Sequence, residues 1–185
     1  FSHFIRQHVL SLAAAELGPL SAAEQTRPLP GDELIAAPRA QVTHGVTIEA
    51  PPERIWPWLL QLGCHRGGWY SYDLLDNGGA PSARDIAPEL QSLHVGQVLP
   101  ATPAGEGGFT VLRINEGRAL VLGGTLDLGT GQQAAPGPLP ERYWRTSWAF
   151  ALEPLAPLRT RLHVRVRLDY APESLRWTAL RLGLL

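Results

Sequence analysis

The chain has 185 residues, of which 44% are hydrophobic and 18% charged, and its formal net charge is -1. This composition indicates a globular protein with one sizeable core, and the near-neutral charge argues against nucleic acids or anionic membranes as partners. A single cysteine excludes an intramolecular disulfide, and no apolar run is long enough to span a bilayer, so we expect a cytoplasmic location. Because the chain starts at Phe1 without an initiator methionine and stops at Leu185 within an apolar pattern, we expect both natural ends to lie outside it.

The N-terminal region is predicted to be an arm separate from the main domain. Apolar residues at roughly helical spacing predict a helix over residues 4–17, which a Gly-Pro pair ends. Residues 27–32, Arg-Pro-Leu-Pro-Gly-Asp, have the composition of a turn, because proline presets φ and glycine permits a sharp reversal. We therefore predict an arm and linker over residues 1–30 and one domain over residues 31–185.

A half-buried strand is predicted over residues 41–49, where apolar and polar side chains alternate. One face of this strand consists of Val42, His44, Val46 and Ile48. Because the other three side chains on that face are aliphatic, we expect His44 to point into the interior.

A helix is predicted directly after this strand. Residues 50–52, Ala-Pro-Pro, end the strand and open the helix, since proline is tolerated in a first turn. Pro57 is expected to bend this helix rather than break it, and Gly63 is expected to stop it.

The second half of the chain is predicted to be mainly strands. An aromatic-rich loop at residues 64–72 is followed by short helices over residues 72–76 and 83–93. Five strands, separated by turn residues, are then predicted over residues 97–99, 109–114, 119–123, 143–152 and 161–170. This succession predicts an antiparallel meander.

Two further segments complete the chain. Residues 123–140 are dominated by Gly, Pro, Gln and Ala, which offer too few apolar side chains to offset the entropy of ordering, so we expect a long mobile loop. A last helix is predicted to open at residues 172–174 and to carry Leu175, Trp177 and Leu182. The order of elements predicts an α+β fold in which this helix covers a bent sheet and leaves a cavity beneath it.

Several stretches of the sequence resemble one known superfamily. They are residues 28–33 (Pro-Leu-Pro-Gly-Asp-Glu), 43–48 (Thr-His-Gly-Val-Thr-Ile), 50–53 (Ala-Pro-Pro-Glu), 56–59 (Trp-Pro-Trp-Leu), 67–73 (Gly-Gly-Trp-Tyr-Ser-Tyr-Asp), 148–150 (Trp-Ala-Phe) and 160–162 (Thr-Arg-Leu). Together they resemble the START-like (SRPBCC) superfamily of polyketide cyclases and plant pathogenesis-related lipid binders, and most closely a bacterial branch of unassigned function.

This resemblance implies a helix-grip fold, in which a curved antiparallel sheet wraps around a long C-terminal helix. It also implies apolar ligands such as lipids or polyketides, but no catalytic set that could be carried over to this chain. The sequence departs from the branch after Asp73, where Asn77-Gly78-Gly79-Ala80-Pro81 replaces a longer helical stretch. Because of this departure, the resemblance does not predict the shape of one wall of the cavity.

Residues of the aromatic loop are candidate ligand contacts. We predict that the ligand-binding residues are His44, Arg66, Trp69, Tyr70, Tyr72 and Trp148. The rings that follow Gly67-Gly68 could form a gate, since glycine lets a loop move and aromatic rings pack on apolar ligands. Plain core packing of these rings is the alternative. Arg66 could meet an acidic head group, although arginine is usually exposed.

His44, Tyr72 and Asp73 are the candidate catalytic residues if the domain is an enzyme. A buried histidine must find a hydrogen-bond partner and can act as acid, base or ligand anchor, and Asp73 could orient it. A satisfied core histidine is the competing interpretation for His44, and helix capping is the competing interpretation for Asp73.

The last strand carries a row of cations on one face: Arg161, His163, Arg165 and Arg167. We interpret this row as the convex, solvent-exposed face of the sheet rather than as an anion site. Cys64 and His65 are adjacent, and no second pair of ligands lies at zinc-like spacing, so we predict no metal site. No cofactor motif is predicted either.

The first functional hypothesis is a module that binds a small hydrophobic ligand in a cavity between the sheet and the C-terminal helix. The second is a cyclase- or dehydratase-type enzyme acting on a hydrophobic metabolite. The third is a protein-interaction platform, with the arm or the Arg-rich strand docking on a partner. The sequence leaves open whether catalysis occurs.

Overall fold

The computed structural model describes residues 15–16, 20–70, 77–104 and 107–181. Its helices and strands are, in chain order, β1 (Ala15–Glu16), α1 (Ala22–Thr26), β2 (Ala40–Ile48), α2 (Pro52–Leu60), β3 (Val98–Pro100), β4 (Gly108–Asn115), β5 (Ala119–Asp127), β6 (Tyr143–Ala156), β7 (Arg159–Ala171) and α3 (Arg176–Arg181). Single 3-10 turns lie at Asp32–Ile35, Pro88–Leu90 and Glu173–Leu175. In this part of the chain no helix has the length and apolar character needed to cross a lipid bilayer.

The strands form one antiparallel sheet in the order β1-β2-β7-β6-β5-β4-β3. Strands β3 to β7 are the predicted meander, and β2 joins it beside β7. Register shifts at Val111/Arg113 and Pro154/Ala156 interrupt the ladders, and such bulges bend strands and increase their twist. The curved antiparallel sheet with few helices confirms the predicted α+β class.

The main core lies on one face of this sheet, which we call the concave face. Cross-strand register places Val46 opposite Leu162, and Phe150 between Val164 and Leu120, on this face. Helix α2 packs its buried side chains against them, and these are Ile55, Trp56 and Leu59. Helix α2 runs past Pro57 as predicted and ends at Leu60, before the predicted stop at Gly63.

The opposite, convex face carries a buried guanidinium where a solvent-exposed row of cations was expected. Arg165 is 2% exposed. It donates to Thr43 Oγ1 (2.9 Å) and Asp32 Oδ2 (2.7 Å), and also to the backbone carbonyls of Glu24 (3.3 Å), Gln25 (2.9 Å) and Arg27 (2.9 Å). The segment from Leu20 to Ile35 therefore covers this face, and the exposed-face interpretation was wrong for Arg165.

Two other cations of the row, Arg161 and Arg167, also hold this covering segment. Arg161 donates to Glu24 Oε1 (2.8 Å), and Arg167 donates to the Asp32 carbonyl (2.6 Å). His163 is fully buried, and its Nε2 lies 2.8 Å from Glu153 Oε2. Three of the four predicted surface cations are thus buried, since Arg167 alone keeps partial exposure.

Gly45 explains how the covering segment can approach β2 so closely. A Cβ atom at this position would lie 2.7 Å from Arg161 Nη2 and 2.7 Å from Leu20 Cδ2. Because real Cβ atoms do not approach other heavy atoms that closely, a larger residue would force the ends of the Arg161 and Leu20 side chains to shift.

Two predicted helices differ in the structure. Ala15–Glu16, inside the helix predicted for residues 4–17, pair as strand β1 with β2, and the rest of that prediction lies outside the described residues. The helix predicted over residues 83–93 is reduced to the turn Pro88–Leu90. Ala87 is extended (φ -90°, ψ 109°), the conformation favoured by a residue that precedes proline, for which the helical region is disfavoured.

The segment predicted as a mobile loop over residues 123–140 begins as a strand. Strand β5 continues to Asp127, and the chain then folds back along it. The N–H of Asp127 donates to the carbonyl of Gln132 (2.9 Å), and the N–H of Ala134 donates to the carbonyl of Thr125 (2.7 Å). Local hydrogen bonds therefore order residues that have few apolar side chains.

The C-terminal helix begins where predicted, as a 3-10 turn that runs into α3. Ala179 packs on a second, smaller cluster of the concave face, which contains Ala40, Leu168 and Tyr170. Trp177 is 72% exposed and lies outside this contact. The described part of the helix therefore covers one end of the sheet.

Replacing Arg165 by methionine should lower the free energy of unfolding by about 3–5 kcal/mol, because the covering segment loses a buried charged donor and Asp32 loses a partner. Urea denaturation measures this difference. Arg118→Met removes the same charge from an exposed position and should change the free energy by less than about 0.5 kcal/mol. Equal stability of the two variants would contradict the role assigned to Arg165.

Candidate functional site

An aromatic cluster occupies the middle of the concave face. Trp69 and Trp148 are stacked, with ring centroids 5.5 Å apart and planes at 18°. Phe109 meets both rings edge-on at 5.5 Å, and Phe150 lies 4.9 Å from Trp148. Trp69 is 5% exposed, whereas Trp148 is half-buried. The structure thus brings together two of the predicted ligand-binding residues, and it adds Phe109 and Phe150, which the sequence analysis had not singled out.

The loop that carries Trp69 is tightly packed. Gly63 and Gly68 exchange backbone hydrogen bonds of 3.2 and 3.0 Å. Gly68 has φ +84°, and a Cβ there would lie 2.4 Å from Ser82 Oγ. Glycine is therefore required at this position for conformation and for close packing, and the loop presents its rings to the core.

Tyr70 has a different set of contacts from its neighbour Trp69. Its ring meets Trp58 edge-on at 5.8 Å, and its hydroxyl accepts a hydrogen bond from Gln61 Nε2. Gln61 also holds the loop, because it donates to the Asp85 carbonyl (3.2 Å) and accepts from the Ala87 N–H (3.1 Å). Burial raises the pKa of Tyr70 to about 12, although the bond from Gln61 acts in the opposite direction. Tyr70 is thus a packed core residue in this structure.

His44 lies on the predicted face of β2 but is exposed, so the expectation of a buried histidine was wrong. In the register it is opposite Val164, whose other neighbour is Phe150. Surrounding protein partly desolvates the ring and lowers the pKa of His44, although its side chain still reaches solvent. The neutral imidazole is therefore favoured at pH 7.

Arg66 is a structural residue in this conformation. Its guanidinium donates to the carbonyls of Leu62 (3.0 Å), Leu60 (2.9 Å) and Leu90 (3.2 Å), which ties the end of α2 to the following segment. Burial lowers the pKa of Arg66. The remaining candidates, Tyr72 and Asp73, lie outside the described residues.

A partly open strip separates the two clusters of the concave face, and we call it the concave gap. It consists of Val42, His44, Trp148 and Val166. Val42, Val166 and Trp148 lie side by side across β2, β7 and β6, and His44 lies two residues farther along β2. All four are half-buried or exposed, so apolar surface faces solvent between the packed clusters. Alternation along β7 was the sequence signal that could have identified Val166.

The chemistry available at the concave gap is limited. His44 is the titratable side chain among the four residues that define it. Within the described ranges, no three His, Cys, Asp or Glu side chains come together in a way that could hold a metal ion. The arrangement therefore offers apolar contact surface, one aromatic stack and one imidazole.

No family model and no curated protein matches the sequence. Solved structures similar to this chain include the following two. The Aha1 dimer from Colwellia psychrerythraea, a solution structure, is 18% identical over 78% of this chain and 92% of that chain, with a TM-score of 0.38. The crystal structure of protein Ms6760 from Mycobacterium smegmatis is 16% identical over 78% of this chain and 80% of that chain, with a TM-score of 0.41. Likenesses this distant assign neither a family nor a function.

Tyr70→Phe should remove a pH dependence that the wild-type protein has in alkaline solution. The unfolded tyrosine ionises near its ordinary pKa of 10.0 and the folded one near 12, so the unfolded state loses its proton first. Between these values the free energy of unfolding should fall by about 1.4 kcal/mol per pH unit at most, and this loss should be absent in Tyr70→Phe. Urea denaturation from pH 8 upward measures both slopes, and identical slopes would contradict the burial of Tyr70.

Proposed function

We propose that the protein binds a small hydrophobic ligand, lipid-like or polyketide-like, at the concave gap. The observation that carries this proposal is the row of Val42, Val166 and Trp148, which leaves apolar surface open to solvent beside a buried aromatic stack. Contiguous apolar surface in a concavity is the usual setting of a ligand site, because burying it in contact with a ligand is favourable.

The resemblance of the sequence to START-like proteins supports the same location. In a helix-grip fold the ligand lies between the curved sheet and the C-terminal helix. Helix α3 covers one end of the concave face through Ala179, while α2 packs on the main core. The concave gap lies between these two regions, where a START-like ligand would be expected.

A carrier or sensor is the form of this function that the site supports best. Binding of an apolar ligand depends mainly on shape and apolar surface, and the partly open surface of Val42, Val166 and Trp148 supports this form of the proposal. Proton transfer would require a positioned acid or base, and His44 is exposed. An enzyme of the cyclase or dehydratase type is the second candidate, because the lowered pKa of His44 favours the neutral imidazole that could accept a proton.

One of the two surfaces predicted for a protein-interaction platform, the Arg-rich strand, is covered by the chain itself. Arg165 of the Arg-rich strand is occupied by the carbonyls of Glu24, Gln25 and Arg27 and by Asp32. A protein that docked on this strand would have to displace the covering segment. A partner would therefore have to bind elsewhere on the molecule.

Trp148→Ala should weaken binding of the neutral fluorescent probe N-phenyl-1-naphthylamine by about tenfold or more, because the largest apolar surface of the gap is lost. Val166→Glu, which leaves the aromatic stack in place and puts a charge in the gap, should have a similar effect. The matched control is Trp177→Ala, at an exposed position of α3, which should bind within about twofold of wild type. Unchanged affinity in both gap variants would overturn the proposed location.

His44→Gln separates the carrier from the enzyme. A carrier should bind the same probe within about threefold of wild type, since the amide preserves size and polarity. If a cyclase or dehydratase substrate is turned over, the same variant should lower kcat by about a hundredfold or more. Near-normal turnover would exclude His44 as the acid or base.

A further inference from the structure

A pocket lies on the convex face, on the opposite side of the sheet from the concave gap. Its volume is about 350 Å³. Its floor is the convex face of β4, β5 and β6. Its two walls are residues 133–140 and the turn at Leu34 and Ile35. A pocket of this size is at the lower end of the range that holds small molecules.

Two hydrogen bonds fix the start of the wall formed by residues 133–140. Gln133 Nε2 donates to the Gly108 carbonyl (3.0 Å), and the Ala134 N–H donates to the Thr125 carbonyl (2.7 Å). Three prolines at positions 136, 138 and 140 restrict the backbone that follows. A wall ordered in this way limits the conformational entropy that a ligand would have to overcome.

Arg145 supplies the cation of this pocket. It lies directly opposite Thr125 in the β5–β6 register and lines the same space. Its Nη2 donates to the Leu34 carbonyl (2.7 Å), which fixes the direction of the half-buried guanidinium. Among the described residues Arg145 has no ion-pair partner, in contrast to Arg165, which is paired with Asp32.

The carboxylate that stands opposite Arg145 in the sheet is already engaged. Asp169 is opposite Arg145 in the β6–β7 register. Its two oxygens are taken by Tyr143, whose hydroxyl donates at 2.7 Å, and by Arg39 at 3.3 Å. The charge of Arg145 is therefore directed to the pocket, which offers no acidic group among its lining residues.

We propose that this pocket binds a small monocarboxylate with a short apolar body. The guanidinium of Arg145 donates to the carboxylate, and the hydroxyls of Thr125 and Ser147 lie on the same face beside it. Leu112, Leu139 and the prolines of the wall contact the apolar body. A single cation in an apolar pocket favours a monoanion over phosphate, whose second charge would remain uncompensated.

Titration with sodium octanoate, followed by backbone amide NMR shifts, tests this site. Saturable shifts are expected at residues 133–139 and at Thr125, and the neutral analogue octanamide should bind at least about tenfold more weakly. Arg145→Gln should weaken octanoate binding by about tenfold or more, whereas Arg142→Gln, which removes the same charge at an exposed neighbouring position, should stay within about twofold. Equal effects of the two variants, or shifts confined to the concave gap, would overturn the proposal.

A second pair of variants leaves Arg145 intact. Thr125→Leu fills part of the pocket and should weaken octanoate binding by about tenfold, while Thr125→Ser, which keeps the hydroxyl and adds no volume, should retain it within about threefold. Equal affinity of the two would show that octanoate binds elsewhere. Trp148→Ala should leave octanoate binding unchanged. The carboxylate site at Arg145 and the ligand site at the concave gap are therefore tested separately, and either can be refuted without the other.

Discussion

The buried guanidinium of Arg165 is the interaction on which the arrangement of the two sheet faces depends. A charge removed from water must be surrounded by hydrogen-bond acceptors, and Arg165 obtains them from Thr43, Asp32 and three carbonyls of the covering segment. Most of these acceptors belong to the covering segment. The guanidinium of Arg165 therefore has its full set of hydrogen bonds only when the covering segment is docked on the sheet. Gly45 leaves the room that this docking needs.

The two proposed ligand sites lie on opposite faces of the sheet. With the convex face covered by residues 20–35, the turn at Leu34 and Ile35 becomes a wall of the pocket beside Arg145. The concave face is free to carry the apolar core, the aromatic cluster around Trp148 and the partly open concave gap. One face therefore offers apolar contact with a single imidazole, and the other offers a cation in an apolar pocket. The two sites would select different ligands, one neutral and apolar and the other anionic.

Local patterns predicted most of the sheet. Alternation and turn residues located β2 and the meander, and the Ala-Pro-Pro run located the start of α2. Burial could not be predicted in the same way, because it depends on what packs against a face. Alternation placed Arg165 and His44 on their correct faces, yet the cation is buried by a distant segment and the imidazole remains exposed. The roles of Arg66 and Tyr70 were likewise set by the carbonyls of Leu62 and Leu90 and by the amide of Gln61, which no sequence pattern had singled out.

Native mass spectrometry of protein purified from its own host tests whether the concave gap holds an apolar ligand. We expect a reproducible additional mass that denaturing extraction releases as a lipid-like or polyketide-like molecule, and that is absent from Trp148→Ala purified in the same way. A protein that carries no such molecule and also fails to take up neutral apolar probes would contradict the proposed ligand site.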